Sequence, residues 1–130
     1  MSKKFKEWHT VKEKLHKETK KVIVPKEREV YWASIGVNIG HEQDGKGNIF
    51  SRPVLVLKRY NKNLFFGIPL STQIKQGSFF FEFELNGKKS NALIVQGRIY
   101  DTKRLENRMG MVSSDDFNDL KKKLKELLDV

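Results

Sequence analysis

Apolar positions along this chain fall into three regimes. Near the start, Phe5, Trp8, Val11 (or Lys12) and Leu15 recur at helical spacing with charges between them, which predicts an amphipathic helix over residues 4–20. Glu13 and Lys17 form an i,i+4 pair of the favourable orientation, and Pro25 ends anything helical before it. In the middle the period changes. Glu29-Val30-Tyr31-Trp32-Ala33 is a short segment of aromatic and β-branched residues, and Pro53-Val54-Leu55-Val56-Leu57-Lys58 is apolar on both faces. The polar turn Arg59–Asn63 leads into Leu64–Leu70, and Phe79–Leu85 follows with Phe81, Phe83 and Leu85 on one face and Glu82 and Glu84 on the other. Asn86-Gly87 reads as a hairpin turn, after which Asn91–Val95 and Arg98–Tyr100 continue the strand-rich stretch. At the end, Ser114 is the expected N-cap of a last helix whose apolar face is Phe117, Leu120, Leu124 and Leu127 or Leu128. Short strands joined by turns and closed by one helix predict a mainly β protein, a small barrel with a C-terminal helix and an N-terminal helical extension.

Composition narrows this picture. A length of 130 residues fits one compact domain with a short appendage: a basic amphipathic extension over residues 1–27 and a barrel domain over 28–130. Net charge is +10, of which residues 1–28 carry +6 and residues 29–114 carry +5, while the last sixteen residues carry −1. A polyanion is therefore a candidate partner of both the extension and the body. The absence of cysteine excludes a disulfide framework, a thiolate zinc site and a Cys nucleophile. No apolar run approaches the ~20 residues of a membrane helix, and the first residues lack the apolar stretch of a signal peptide, so a cytoplasmic protein without a membrane partner is expected.

Candidate chemistry is concentrated in two places. A long loop with Gly36, Gly40, Gly45 and Gly47 runs to Arg52-Pro53, where proline fixes the entry into a strand. Loops of this length in so small a domain commonly bind something. The string lacks the Lys-Ser/Thr of a phosphate loop and opens no helix. His41 stands beside Glu42, whereas His9 and His16 lie two helical turns apart, and no spacing suits a metal. The second place is Ile68-Pro69-Leu70-Ser71-Thr72-Gln73, which puts two hydroxyls and an amide at the end of an apolar strand. Simpler roles stand beside these: Arg52 as a strand-edge residue paired to Glu42, Ser71 and Thr72 as turn formers, and Tyr31 and Trp32 as core.

At these residues the chain resembles the MazF/PemK family of toxin endoribonucleases. The matching pieces are Gly40-His41-Glu42-Gln43, Arg52-Pro53-Val54-Leu55-Val56-Leu57, Pro69-Leu70-Ser71-Thr72-Gln73 and Gln96-Gly97-Arg98-Ile99-Tyr100-Asp101, in that order over roughly residues 28–128. The resemblance implies an SH3-like barrel homodimer that cleaves single-stranded RNA without metal or cofactor. The ribose 2′-hydroxyl attacks its own phosphate and leaves 2′,3′-cyclic phosphate and 5′-hydroxyl ends. It also implies a cognate antitoxin protein whose acidic or extended tail covers the RNA groove. The family's arginine falls on Arg52, its strand-end hydroxyl on Ser71 (where Thr is more usual), and the histidine of some members on His41. Val95 stands before Gln96 where several relatives carry a carboxylate.

These assignments have a physical logic. Arg52 offers paired charged donors to the oxygens of a pentacovalent transition state, Ser71 donates to a phosphoryl oxygen or the leaving group, and His41 shuttles a proton near neutral pH, with Glu42 as the spare base. Lys46, Lys75 and Arg98 join Arg52 along the expected floor of the RNA groove, while Gln43, Thr72, Gln73 and Gln96 are placed to touch bases or tie down loops. Two other functions fit the same barrel: an RNA-binding or regulatory module that does not cut, and a gyrase-directed toxin, which would not need Arg52 and Ser71 together.

Overall fold

The computed structural model describes residues 22–34, 51–71, 73, 77 and 79–130. The helix expected over residues 4–20 and the loop from Gly36 to Phe50 lie outside them. The described residues form strands β1 (Glu29–Ser34), β2 (Ser51–Arg59), β3 (Leu64–Ser71), β4 (Phe80–Leu85), β5 (Lys88–Leu93), β6 (Arg98–Asp101) and β7 (Leu105–Met111), followed by helix α1 (Ser114–Leu128). Two short 3-10 turns, Ile94–Gln96 and Thr102–Arg104, bracket β6. The protein is thus mainly antiparallel β with one C-terminal helix.

Strand order is β4-β5-β3-β2-β1-β7, with β6 also on β3. One edge of β3 changes partner along its length: Leu64–Gly67 pair with β6, and Leu70–Ser71 pair with β5. The 3-10 turn at Ile94–Gln96 makes that step, which is why the strand expected over 91–95 stops at Leu93. On the other edge β3 runs against β2, and a register shift between Val56 and Lys58 bends the pair.

The expected closed barrel is corrected here: the described strands leave the sheet open between β4 and β7. The gap is bridged by a side chain. Asn86 (φ 53°) and Gly87 (φ 77°) make the tight β4–β5 turn, and Asn86 Nδ2 donates to the carbonyl of Met109 at 2.9 Å. A carbonyl on the free side of β7 is thereby satisfied without a strand-to-strand ladder.

Alternation along the strands divides the apolar residues into two clusters. Val30, Leu55, Ile68, Leu70, Phe83, Leu85, Ala92, Ile94 and Val112 pack with Phe117 and Leu120 of α1, with Leu124 and Leu127 at the margin. On the other face Tyr31, Ala33, Val54, Val56, Phe65, Tyr100 and Leu105 form a smaller cluster against which Ile23 packs. Leu55 and Ile68 are fully buried, each stabilising the fold by roughly 1.5–3 kcal/mol relative to exposure. Gly67 sits where the second cluster is tightest. A Cβ there would lie 2.5 Å from Val54 Cγ1, 2.8 Å from Phe65 Cε2 and 2.9 Å from Tyr100 Cδ2.

The helix begins one residue earlier than the sequence pattern predicts. Ser113, in an extended conformation, accepts from the backbone N–H of Asp116 at 3.1 Å, and Asp115 and Asp116 occupy the first turn. Leu127 rather than Leu128 completes the apolar face, since Leu128 is exposed.

Candidate active site

Arg52 is the second residue of β2 and Ser71 the last of β3, strands that run antiparallel through Val54–Pro69. Continuing that register brings the two residues to the same end of the sheet. Alternation places Arg52 with Val54 and Val56, and Ser71 with Phe65 and Gly67, so both fall on the face of the smaller cluster. Arg52 is only 3% exposed and Ser71 7%. Burying a guanidinium is costly unless it is paired and hydrogen-bonded.

Ser71 also forms a local turn, as its simpler role predicts. Its Oγ accepts from the backbone N–H of Gln73 at 3.1 Å, and the Gln73 carbonyl accepts from Nδ2 of the buried Asn91 at 3.4 Å. Asn91 is the residue opposite Ser71 on β5. The hydroxyl is therefore held by its acceptor side.

A second group converges on Tyr100, which is 4% exposed and stacks on Phe65 with ring centroids 5.5 Å apart. The Arg98 guanidinium lies 4.7 Å from the centre of the Tyr100 ring. Burial pushes the phenol above its usual value, against the lowering influence of Arg98, Arg52 and Arg104, so it stays neutral at physiological pH. Arg104 in turn is affected first by burial and then by the charge of Arg98, both of which weaken its hold on the proton, while Asp101 and Tyr100 oppose them. The charges of three guanidinium groups thus act on one neutral phenol. Like charges so placed favour an anion among them.

The facing ends of β1 and β2 meet a carboxylate on the other face. Ser34 ends β1, Ser51 begins β2, and the two are register partners. Glu106 on β7 accepts from the hydroxyls of both, with Ser51 Oγ 3.1 Å from each carboxylate oxygen. Arg104 Nη1 donates to the Ser34 carbonyl at 3.1 Å.

Of the residues singled out in the sequence, Arg52, Ser71, Gln73, Gln96 and Arg98 are described. Gln73 is exposed and Gln96 half-buried. His41, Glu42, Gln43, Lys46, Thr72 and Lys75 lie outside the described residues, and with them the test of an Arg52–Glu42 pair. Val95 is 58% exposed. Tyr100, Arg104 and Glu106 are the site residues that sequence patterns do not pick out. Tyr100 and Arg104 lie in or just beyond the fourth matching piece, whereas nothing in the local sequence distinguishes Glu106. Among the described residues, no three His, Asp or Glu side chains converge as metal ligands, and no helix is long and apolar enough to cross a membrane.

Fold and site together define a small antiparallel β domain with one helix and an arginine-rich face built around a buried Arg52. The family described as PemK-like, MazF-like toxin of type II toxin-antitoxin systems matches residues 26–128, and the chain belongs to it. Among solved structures, MazF from Deinococcus radiodurans is similar at 26% identity with a TM-score of 0.69, over 83% of this chain and 99% of that one. An endoribonuclease in complex with its cognate antitoxin from Mycobacterial species shares the fold at 13% identity and a TM-score of 0.62, over 82% and 96% of the two chains. The Mycobacterium tuberculosis toxin MazF-mt6 does so at 14% identity and 0.60, over 79% and 98%. A search of curated proteins finds no match.

Proposed function

We infer that this protein is a metal-independent, sequence-specific endoribonuclease toxin acting in the cytoplasm on single-stranded RNA, leaving 2′,3′-cyclic phosphate and 5′-hydroxyl ends. The observation that carries this reading is the placement of a 3% exposed Arg52 and of Ser71 at the same end and on the same face of adjacent strands, in a chain of this family. The ribose 2′-oxygen forms a bond to the adjacent phosphorus as the bond from phosphorus to the 5′-oxygen breaks. The 2′-proton leaves to a base and the 5′-oxygen gains one. Because the nucleophile belongs to the substrate, the protein's work is to hold the RNA in line and stabilise charge.

Arg52 donates to the equatorial oxygens, where two aligned charged hydrogen bonds are strongest. Ser71, accepting from Gln73, keeps its own proton to donate to a phosphoryl oxygen or the leaving group. His41 moves the proton, with Glu42 in reserve. Arg98, together with Lys46 and Lys75, holds the chain of phosphates, and Gln43, Thr72, Gln73 and Gln96 contact bases. The active form is a homodimer. Leu64, Val95 and Ile99, exposed by 39%, 58% and 47%, supply apolar surface that a second copy would cover. A cognate antitoxin with an acidic tail would compete with RNA for the arginine-rich face.

The test is incubation of a long unstructured RNA in EDTA with wild type, R52A and S71A. Cuts at one short motif, lowered about 100-fold or more by R52A and by a smaller factor in S71A, support the reading. RNA bound by wild type but recovered intact overturns it in favour of a non-cleaving module.

A further inference from the structure

Glu106 is a carboxylate with two hydroxyl donors and no place in the cleavage chemistry described above. We propose that it is a positioning residue for Arg52, clamping the two strand ends from which residues 35–50 depart; the role rests on the ribonuclease reading, whereas the clamp does not. Ser34 and Ser51 face each other across the last pair of the β1–β2 ladder, and both donate to Glu106 from the third strand of that edge, β7. Ser51 directly precedes Arg52. A hydrogen-bonded fork on Ser51 therefore fixes the backbone from which the guanidinium projects, and Arg104 adds a fourth tie through the Ser34 carbonyl.

Which face Glu106 occupies decides between positioning and direct catalysis. Ala33 pairs with Arg52 on one side and with Leu105 on the other, and Ala33 and Leu105 belong to the smaller cluster. Alternation then turns Ser34, Ser51 and Glu106 to the opposite face of the sheet. From there the carboxylate steadies the strand end while the face that would meet phosphate keeps its positive charge. The last pair of a strand ladder is where local opening costs least. Without the clamp, fraying would move Arg52 off its line with the reacting phosphate, and displacements near 1 Å cost up to about 100-fold in rate.

The experiment compares wild type, E106A and E106Q, each also combined with R52K, in steady-state cleavage of a short single-stranded RNA and in amide hydrogen exchange of the full chain. E106A is expected to speed exchange at Ser34, Ser51 and Arg52 while leaving Val30 and Leu55 protected. It should lower kcat about 10-fold or more with KM changed less than about threefold. E106Q, which can still accept from one hydroxyl, should recover most of that loss. In the R52K background, E106A should cost less than about twofold further. Unchanged exchange at the strand ends overturns the proposal, as does a loss that multiplies fully with that of R52K, or an E106Q variant as slow as E106A with an altered pH–rate profile, which would make Glu106 itself the proton-transfer group. If wild type leaves RNA uncut, the ribonuclease reading and with it the role toward Arg52 fall, and exchange alone still decides the clamp.

Discussion

Glu29 shows how this fold keeps a buried charge. Glu29, at the start of β1, is ringed by donors: the backbone N–H of Lys26 at 2.7 Å, the Tyr31 hydroxyl at 3.0 Å and Arg108 Nε at 2.8 Å. Burial raises its pKa, but those three donors outweigh burial and hold the carboxyl below its ordinary value near 4.5. Tyr31, buried and donating to that carboxylate, is pushed up to about 12. The sign for stability follows from linkage. A lowered carboxyl pKa stabilises the folded state fully above the ordinary value and loses that stabilisation as pH falls through the folded-state value. E29Q should therefore be less stable than wild type at pH 7, with the difference shrinking as pH falls below about 4.5, measured by urea denaturation across pH; a constant difference would show that Glu29 acts by shape alone. At Gly67 the limit is space. G67A should lower stability by about 1–3 kcal/mol, since three side chains already lie within 3 Å of the added methyl, and an unchanged melting curve would contradict that packing.

At the level of elements, the apolar runs make β2 and β3 legible, because strands covered on both faces are long in Val, Leu, Ile and Phe, and the alternation of Phe83 and Leu85 with Glu82 and Glu84 makes β4 legible. Asn86-Gly87 is legible for its own reason, the positive φ that a two-residue hairpin turn requires. β7 is not. Its sequence Leu105-Glu106-Asn107-Arg108-Met109-Gly110-Met111 is that of an edge strand, with its core contacts spread over Leu105, Met109 and the residues flanking it. The way the open edge is bridged is equally invisible, since one Asn side chain reaching Met109 follows from no periodic pattern. In the site, Arg52 and Ser71 are legible from motif pieces, whereas Tyr100, Arg104 and Glu106 acquire meaning only when β6, the following turn and β7 are laid beside β1, β2 and β3. The helix start turns on two adjacent serines, of which Ser113 holds the cap geometry. S113A should cost about 1 kcal/mol and S114A little, in thermal melts; equal losses would place the cap elsewhere.

For the molecule as a whole, charge and face are aligned. Arg52, Arg98 and Arg104 act on the same phenol, and the formal charge of +10 places that cluster in a generally positive field. RNA binding should accordingly weaken steeply with salt, and R98A should reduce the slope of log K against log salt by about 0.7, the share of one phosphate on a single strand. A slope unchanged by R98A would remove Arg98 from the RNA path. Cleavage asks more than binding, because it requires one particular hydroxyl of the substrate to be the nucleophile. The most direct measurement is cleavage of an RNA carrying a single 2′-deoxynucleotide on the 5′ side of the mapped cut. The account predicts that this RNA is bound with unchanged affinity and left intact, while the all-ribose strand is cut to a cyclic phosphate; scission of the deoxy strand at that bond would contradict it.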